Sequence, residues 1–242
     1  MIKFFRKIRQ RLLTENKFSK YLIYAIGEII LVVIGILLAF QLNAIVKNRE
    51  NSFEEKRILR NLSEHDLKDD IIFLDQLIDS ANTTTQIMTA LTGDKLDFIN
   101  KMEAFINDFN FQANDGTFNE AVSTGTMRLI KSDKLRSLIF KYYKEVENNR
   151  FLSEQSAFVN NHEITGPETY EKVIGTAESF ARYNITLPLP NLNLENLIKD
   201  QKFMGSLFSR MASLQNQISS WRRLKQNAEM LSKEITAELK SH

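Results

Sequence analysis

Residues 21–40, YLIYAIGEIILVVIGILLAF, form an almost unbroken apolar run directly behind a strongly basic N-terminus. At about 1.5 Å per residue, a helix of this length spans roughly 30 Å, the thickness of a bilayer's hydrocarbon core. The run contains thirteen Leu, Ile, Val and Phe residues. Each contributes about −0.3 to −0.6 kcal/mol to insertion, which together outweighs roughly +3 kcal/mol for a single charged side chain, Glu28. The run predicts a transmembrane helix and divides the chain into three parts: a basic amphipathic segment at residues 1–20, the span at 21–40, and a domain at 41–242 large enough for its own core.

Charge fixes the expected orientation. Lys3, Arg6, Lys7, Arg9, Arg11, Lys17 and Lys20 precede the span, against Glu15 alone, whereas the fifteen residues beyond it contain Lys47 and Arg49 beside Glu50, Glu54 and Glu55. Cations stay on the cytoplasmic side, so the N-terminus is expected in the cytoplasm and the large domain across the membrane. Ile2, Phe5, Ile8 and Leu12 recur at helical spacing among the cations, which suits a short helix lying on an anionic lipid surface. The apolar core is longer than that of a cleaved signal peptide, and residues 42–44 place Leu where a small residue is preferred; the span therefore reads as a retained signal anchor.

The net charge of +2 belongs to the N-terminal tail, because residues 41–242 carry 25 basic and 28 acidic side chains. That balance supplies no basic face for nucleic acid. Three Pro and eight Gly leave few places to break a helix, and no run alternates with a period of two between turn signals. The expected fold is all-α: a single N-terminal transmembrane helix followed by an extracytoplasmic helical bundle with long first and last helices. Leu67, Ile71, Leu74, Ile78 and Ala81 give the first stripe, on a helix expected to continue out of the membrane with at most a hinge near residues 48–52. Further helices are expected over residues 94–110, in a short piece stopped by Gly125, from Ser132 as N-cap to about residue 161, and over residues 168–182. The last runs from about residue 194 to 239, with Leu207, Met211, Leu214, Ile218, Trp221, Leu224, Ala228, Leu231 and Ile235 on one side.

Reactive chemistry is sparse. With no cysteine and three histidines, thiol catalysis and cysteine metal sites are excluded and nucleophile–base pairs have little to draw on. Residues 123–126, Ser-Thr-Gly-Thr, lack the flanking Gly and Lys of a phosphate loop. In the cluster Glu64, His65, Asp66, Asp69 and Asp70, the pairs His65/Asp69 and Asp66/Asp70 are one helical turn apart. His65 and Asp69 are thus candidate ligands for a divalent metal, but a solvated acidic face is the expected reading, with no cofactor and no enzymatic activity. Within the span, Gly27, Leu31, Gly35 and Ala39 follow one another at i+4, leaving one side narrow enough for a second helix. Glu28 borders that side about 4 Å from the span's midpoint, and intramembrane carboxyls face protein or water.

The opening of the chain, through Phe18 to Lys20, Tyr24 to Gly27, Glu28, Ile29, Leu31, Val32, Gly35, Ile36 and Ala39, resembles an uncharacterised, domain-of-unknown-function family of bacterial single-pass inner-membrane proteins of flavobacteria-like genomes. The stretch FNEAVSTGTMRLIKSDKLRSLIFKYY, residues 118–143, is similar to the same family's Ser-Thr-Gly, Leu-Ile and Tyr-Tyr pattern. The resemblance implies an inner-membrane location and no known activity. The residues themselves leave three roles open: a membrane-anchored interaction or scaffold protein that self-associates or binds a partner membrane protein, an extracytoplasmic ligand-binding bundle, and an ion- or proton-coupled accessory subunit using Glu28.

Overall fold

The computed structural model describes residues 18–89, 108–159 and 199–241. The chain falls into two units, Met1–Glu54 and Glu55–His242. Helix α1 (Phe18–Asn61) is followed by a π-helical turn (Leu62–Asp66) and α2 (Leu67–Thr89); then come α3 (Gly116–Ser123), a 3-10 turn (Thr126–Leu129), α4 (Asp133–Val159) and α5 (Gln201–Ser241). Every regular element among the described residues is helical, so the all-α expectation stands, with a long apolar helix near the N-terminus and a long last helix.

In the first unit, one stretch of helix is long and apolar enough to cross a membrane, and none of its apolar window is buried. The continuity of this helix has a local cause: between Gly35 and Gly93 the sequence offers no Gly or Pro to interrupt the backbone ladder. The helix leaving the apolar run continues as expected, and α1 passes through residues 48–52 without a hinge. The irregularity comes later, at the π turn, where the Leu67 N–H bonds back to the Leu62 carbonyl. The extra residue turns Leu62, Asp66 and Leu67 inward together.

In the second unit, α2, α4 and α5 pack around one core. Ser63, Asp75, Asn82 and Thr85 meet Ser232, Lys225, Arg222 and Gln215 respectively, so α5 descends as α2 rises. Lys134, Glu145 and Ser156 of α4 meet Glu234, Asn227 and Gln217, which makes α5 antiparallel to α4 as well. The core is built from Leu59, Leu62, Leu67, Leu74, Ile78 and Ala81 on the first side. Leu135, Ile139 and Tyr142 come from α4, and Leu214, Ile218, Trp221, Leu224, Ala228, Leu231 and Ile235 from α5. The 3-4 spacing of these positions is what lets straight helices keep one face inward.

The ends of the elements follow their chemistry. Ser132 caps α4 through its Oγ, which accepts the Leu135 N–H at 3.2 Å. Gly125, at φ 72°, takes the left-handed conformation that stops α3. Residues 194–198, where the last helix is expected to start, lie outside the described residues. Helix α5 begins after Asp200, whose Oδ1 accepts the N–H groups of Lys202 at 2.9 Å and Phe203 at 3.3 Å and so caps it. Of the helix expected over residues 94–110, only 108–110 are described, and they are irregular. The helix expected over 168–182 and the basic residues Lys3 to Lys17 lie outside the described residues.

Trp221 is 1% exposed at the centre of α5. Trp221→Ala is expected to cost about 3 to 5 kcal/mol of domain stability by opening a cavity among its neighbours. Chemical denaturation followed by far-UV circular dichroism measures it, and a loss below about 1 kcal/mol would contradict the packing described.

Candidate functional site

The densest arrangement of chemically active groups lies where the first long helical stretch meets residues 114–131. Three carboxylates on that stretch are almost fully buried: Glu55, Asp66 and Asp70. Each accepts a backbone N–H from the facing segment. Glu55 Oε1 takes that of Lys131 at 2.7 Å, Asp66 Oδ2 that of Thr117 at 3.1 Å, and Asp70 Oδ1 that of Asn114 at 2.7 Å. As the helix runs from 55 to 70, the segment runs from 131 back to 114, a ladder of side-chain acceptors along a chain segment that has no sheet or long helix to satisfy its amides.

Asp66 also supplies a missing helix cap. Asp115 occupies the N-cap position of α3 but makes no side-chain cap bond. Asp66, from across the interface, accepts both the Thr117 N–H and the Thr117 hydroxyl, the latter at 2.8 Å. A negative charge at a helix N-terminus gains from the aligned peptide dipoles as well. The edges of the cluster are aromatic: Phe118 stacks on Tyr143 with ring centroids 4.0 Å apart, and Tyr142 meets Tyr143 edge-on at 5.1 Å. Tyr143 donates to Asp66 Oδ2 at 3.4 Å, and Tyr142 donates to Asp70 Oδ2 at 2.6 Å.

Burial pushes the Asp66 carboxyl above the usual aspartate range, while its Thr117 and Tyr143 bonds pull the other way. Burial raises Asp70 from 3.8 to about 6, against the lowering effect of the bonds from Tyr142 and Asn114 and with smaller raising contributions from Asp66 and Asp69. The two phenols are driven far above their ordinary value, first by burial and then by the adjacent aspartates. They remain protonated donors across the physiological range, and the cluster holds chain segments together through them.

The acidic face expected around His65 therefore divides in two. Glu64, His65, Lys68 and Asp69 are exposed, as a solvated face requires, but Asp66 and Asp70 turn inward. Among the described residues, no three His, Asp or Glu side chains converge as a metal site would need. Asp69 Oδ2 instead accepts from Asn114 Nδ2 at 3.5 Å. In the first unit, Gly27, Leu31, Gly35 and Ala39 are exposed, Glu28 is half-exposed, and a methyl group added at Gly27 or Gly35 would meet nothing within 4 Å. Lys20 lies on α1.

A second polar group, not singled out by the sequence reading, occupies the far half of the α4/α5 interface. Arg210 is 1% exposed, taking the inward position expected for Met211. Its Nη1 donates to Ser156 Oγ at 3.1 Å, and Nη2 lies 3.4 Å from Asp108 Oδ1. Ser156 also accepts from Ser213 at 2.8 Å and donates to Gln217 Oε1 at 3.2 Å, which uses both its lone pairs and its proton. Burial lowers the Arg210 guanidinium's proton affinity, and Asp108 opposes that shift. A shallow groove between α4 and α5, lined by Leu138, Lys141, Tyr142, Glu145, Asn227, Met230 and Leu231, encloses about 230 Å³ including its open mouth.

Asp66→Ala is expected to destabilise the domain by about 1 to 3 kcal/mol, because it strands the Thr117 amide without a partner. Hydrogen exchange at residues 116–123 should accelerate. His65→Ala and Asp69→Asn are expected to shift stability by no more than about 0.5 kcal/mol, the range for exposed positions. Equal effects at the buried and exposed positions would refute the assignment.

Comparison with known proteins adds a family and nothing finer. No curated protein and no solved structure matches the chain. A model of a family of unknown function, DUF6090, matches residues 28–216. The match opens at Glu28 in the apolar helix and continues through the acid–tyrosine cluster into α5. With most of its length covered, this chain belongs to that family of unknown function.

Proposed function

We propose that this protein is a membrane-anchored helical interaction protein, acting as a scaffold rather than an enzyme. In this reading the apolar helix crosses the bacterial inner membrane with its N-terminus in the cytoplasm, and the helical domain lies in the periplasm. The observation that carries it is the contrast within α1. Its apolar window is entirely unburied, and the same helix carries an ionisable residue, Glu28, that hydrocarbon does not solvate. Lipid suits the apolar surface, and a neighbouring helix suits the carboxyl.

The approach surface is the side bearing Gly27, Leu31, Gly35 and Ala39, whose small residues permit close helix packing against a second copy or a partner membrane protein. The cations of the N-terminal segment, Lys3, Arg6, Lys7, Arg9, Arg11, Lys17 and Lys20, suit an anionic cytoplasmic leaflet. The cluster around Asp66 and Asp70 uses its acceptors on backbone amides and tyrosines, an arrangement that supports a structural role for the domain.

Two measurements test the reading. Reporters fused at the two ends should behave as cytoplasmic at the N-terminus and extracytoplasmic after His242, and the reverse would overturn the orientation. Assembly in mild detergent should survive Glu28→Gln, which replaces the carboxyl with a hydrogen-bonding amide, and fall at least tenfold in association constant with Glu28→Leu, a difference of about 1.4 kcal/mol. A span that stays monomeric, or that assembles equally with all three side chains, would remove the interface role.

A further inference from the structure

Asp66 and Asp70 are two carboxylates on successive turns, each buried, each turned toward the same tyrosine pair. Among the described residues, every donor that reaches them is neutral: the Asn114, Thr117 and Phe118 amides, the Thr117 hydroxyl and the two phenols. Glu55, by contrast, has the Lys131 ammonium 3.2 Å from its Oε2. We propose that the Asp66–Asp70 pair is a proton-operated latch, which takes up one proton on mild acidification and thereby tightens the docking of residues 114–117 and of α4 onto the first helical stretch.

Among the described residues, the charges that act on the pair are of one sign. Asp69 lies on the same helix, and Asp115 precedes α3 and acts on Tyr143. From α4 come Tyr142 and Tyr143, both protonated. The cation that α5 brings to α2, Lys225, is engaged by Asp75 and Glu229 one turn further on. On the outward side, His65 and Lys68 are exposed to solvent. Two buried negative charges on adjacent turns repel each other, and desolvation disfavours each alone. One proton relieves both effects at once.

The geometry accommodates that proton without breaking the latch. It passes from solvent to Asp70 Oδ2, and the Tyr142 hydroxyl, now 2.6 Å away as a donor, rotates to accept from it. Asp70 Oδ1 keeps the Asn114 amide at 2.7 Å. No bond to the facing segment is lost, and one buried charge is removed.

The direction follows from linkage. A carboxyl whose folded-state value lies above its unfolded one binds its proton more tightly in the folded protein. Its contribution is therefore full below the unfolded value and is lost as pH rises through the folded one. For Asp70 the window lies between 3.8 and about 6. This is independent of the orientation of the span.

The test uses the full chain in detergent micelles, with denaturant unfolding read by Trp221, the one tryptophan. The folding equilibrium constant is expected to rise about tenfold between pH 7.5 and pH 5. Asp70→Asn, which keeps an acceptor for Asn114 and lets Tyr142 accept from the amide, should remove that rise while matching the acid-form stability at pH 7.5. Should this variant fail to fold, carbon-detected titration of the wild-type Asp70 carboxyl decides. A midpoint near pH 6 upholds the latch, and one at or below about pH 4 overturns it. An unchanged pH response in Asp70→Asn, or a flat wild-type profile, overturns it equally.

Discussion

A backbone amide taken out of water must find an acceptor, and in residues 114–131 the amides of Asn114, Thr117 and Lys131 lie outside or at the first turn of short helical pieces that offer them none. The structure answers with carboxylates: Glu55, Asp66 and Asp70 each take one amide from that segment at 2.7 to 3.1 Å. The rest of the domain is arranged around this solution. Holding the segment flat against the first helical stretch places Phe118 on Tyr143, buries Met127 and Ile130, and delivers the chain to Ser132, where α4 starts. Without those acceptors the segment would have to stay hydrated, and α4 would lose the surface against which Tyr142 packs.

Carboxylates are an expensive choice of acceptor in an interior, because an ionised group loses more hydration than an amide carbonyl does. Their advantage is the strength of a charge-assisted bond, roughly twice that of a neutral one, and reach: a side chain on a helix addresses an amide that no backbone carbonyl of that helix can. The same reasoning separates the two buried polar regions. Around Arg210 the cation has Asp108, and the hydroxyls and amide of Ser156, Ser213 and Gln217 link the two helices directly. That region joins helix to helix, whereas the acidic ladder joins helix to connector.

Elements defined by a local pattern were legible in the sequence. The apolar run at residues 21–40, the α5 stripe through Leu214, Trp221 and Ile235, the Ser132 cap and the Gly125 stop all depend on residues within a turn or two of one another. The acid ladder was not, since its partners lie 44, 51 and 72 residues away along the chain. Spacing alone could not tell a solvated Asp66/Asp70 pair from a buried one. A clue was nonetheless present: Asp70 falls three residues after Leu67 and four before Leu74, inside the apolar stripe, where a solvated carboxylate has no place. Arg210 escaped notice for the same reason, because Met211 fitted an apolar stripe and the inward position belonged to its neighbour. The metal reading of His65 and Asp69 rested on i+4 spacing, yet a π turn ends at residue 66, within that interval.

The three ladder carboxylates also form a gradient of charge compensation. Glu55 has both the amide and the ammonium of Lys131, so its ionised form is matched by a cation on the same residue that it binds. Asp66 has neutral donors but sits at a helix N-terminus, where peptide dipoles supply partial positive charge. Asp70 has an amide and a phenol and, among the described residues, only neutral donors. Compensation thus falls along the helix from Glu55 to Asp70, while burial stays nearly constant at 1%, 3% and 1% exposure. When desolvation is equal, the group with the weakest compensating field is the one that protonation stabilises most. This places the ladder's proton-sensitive position at Asp70, where Tyr142 ties α4 to the first helical stretch.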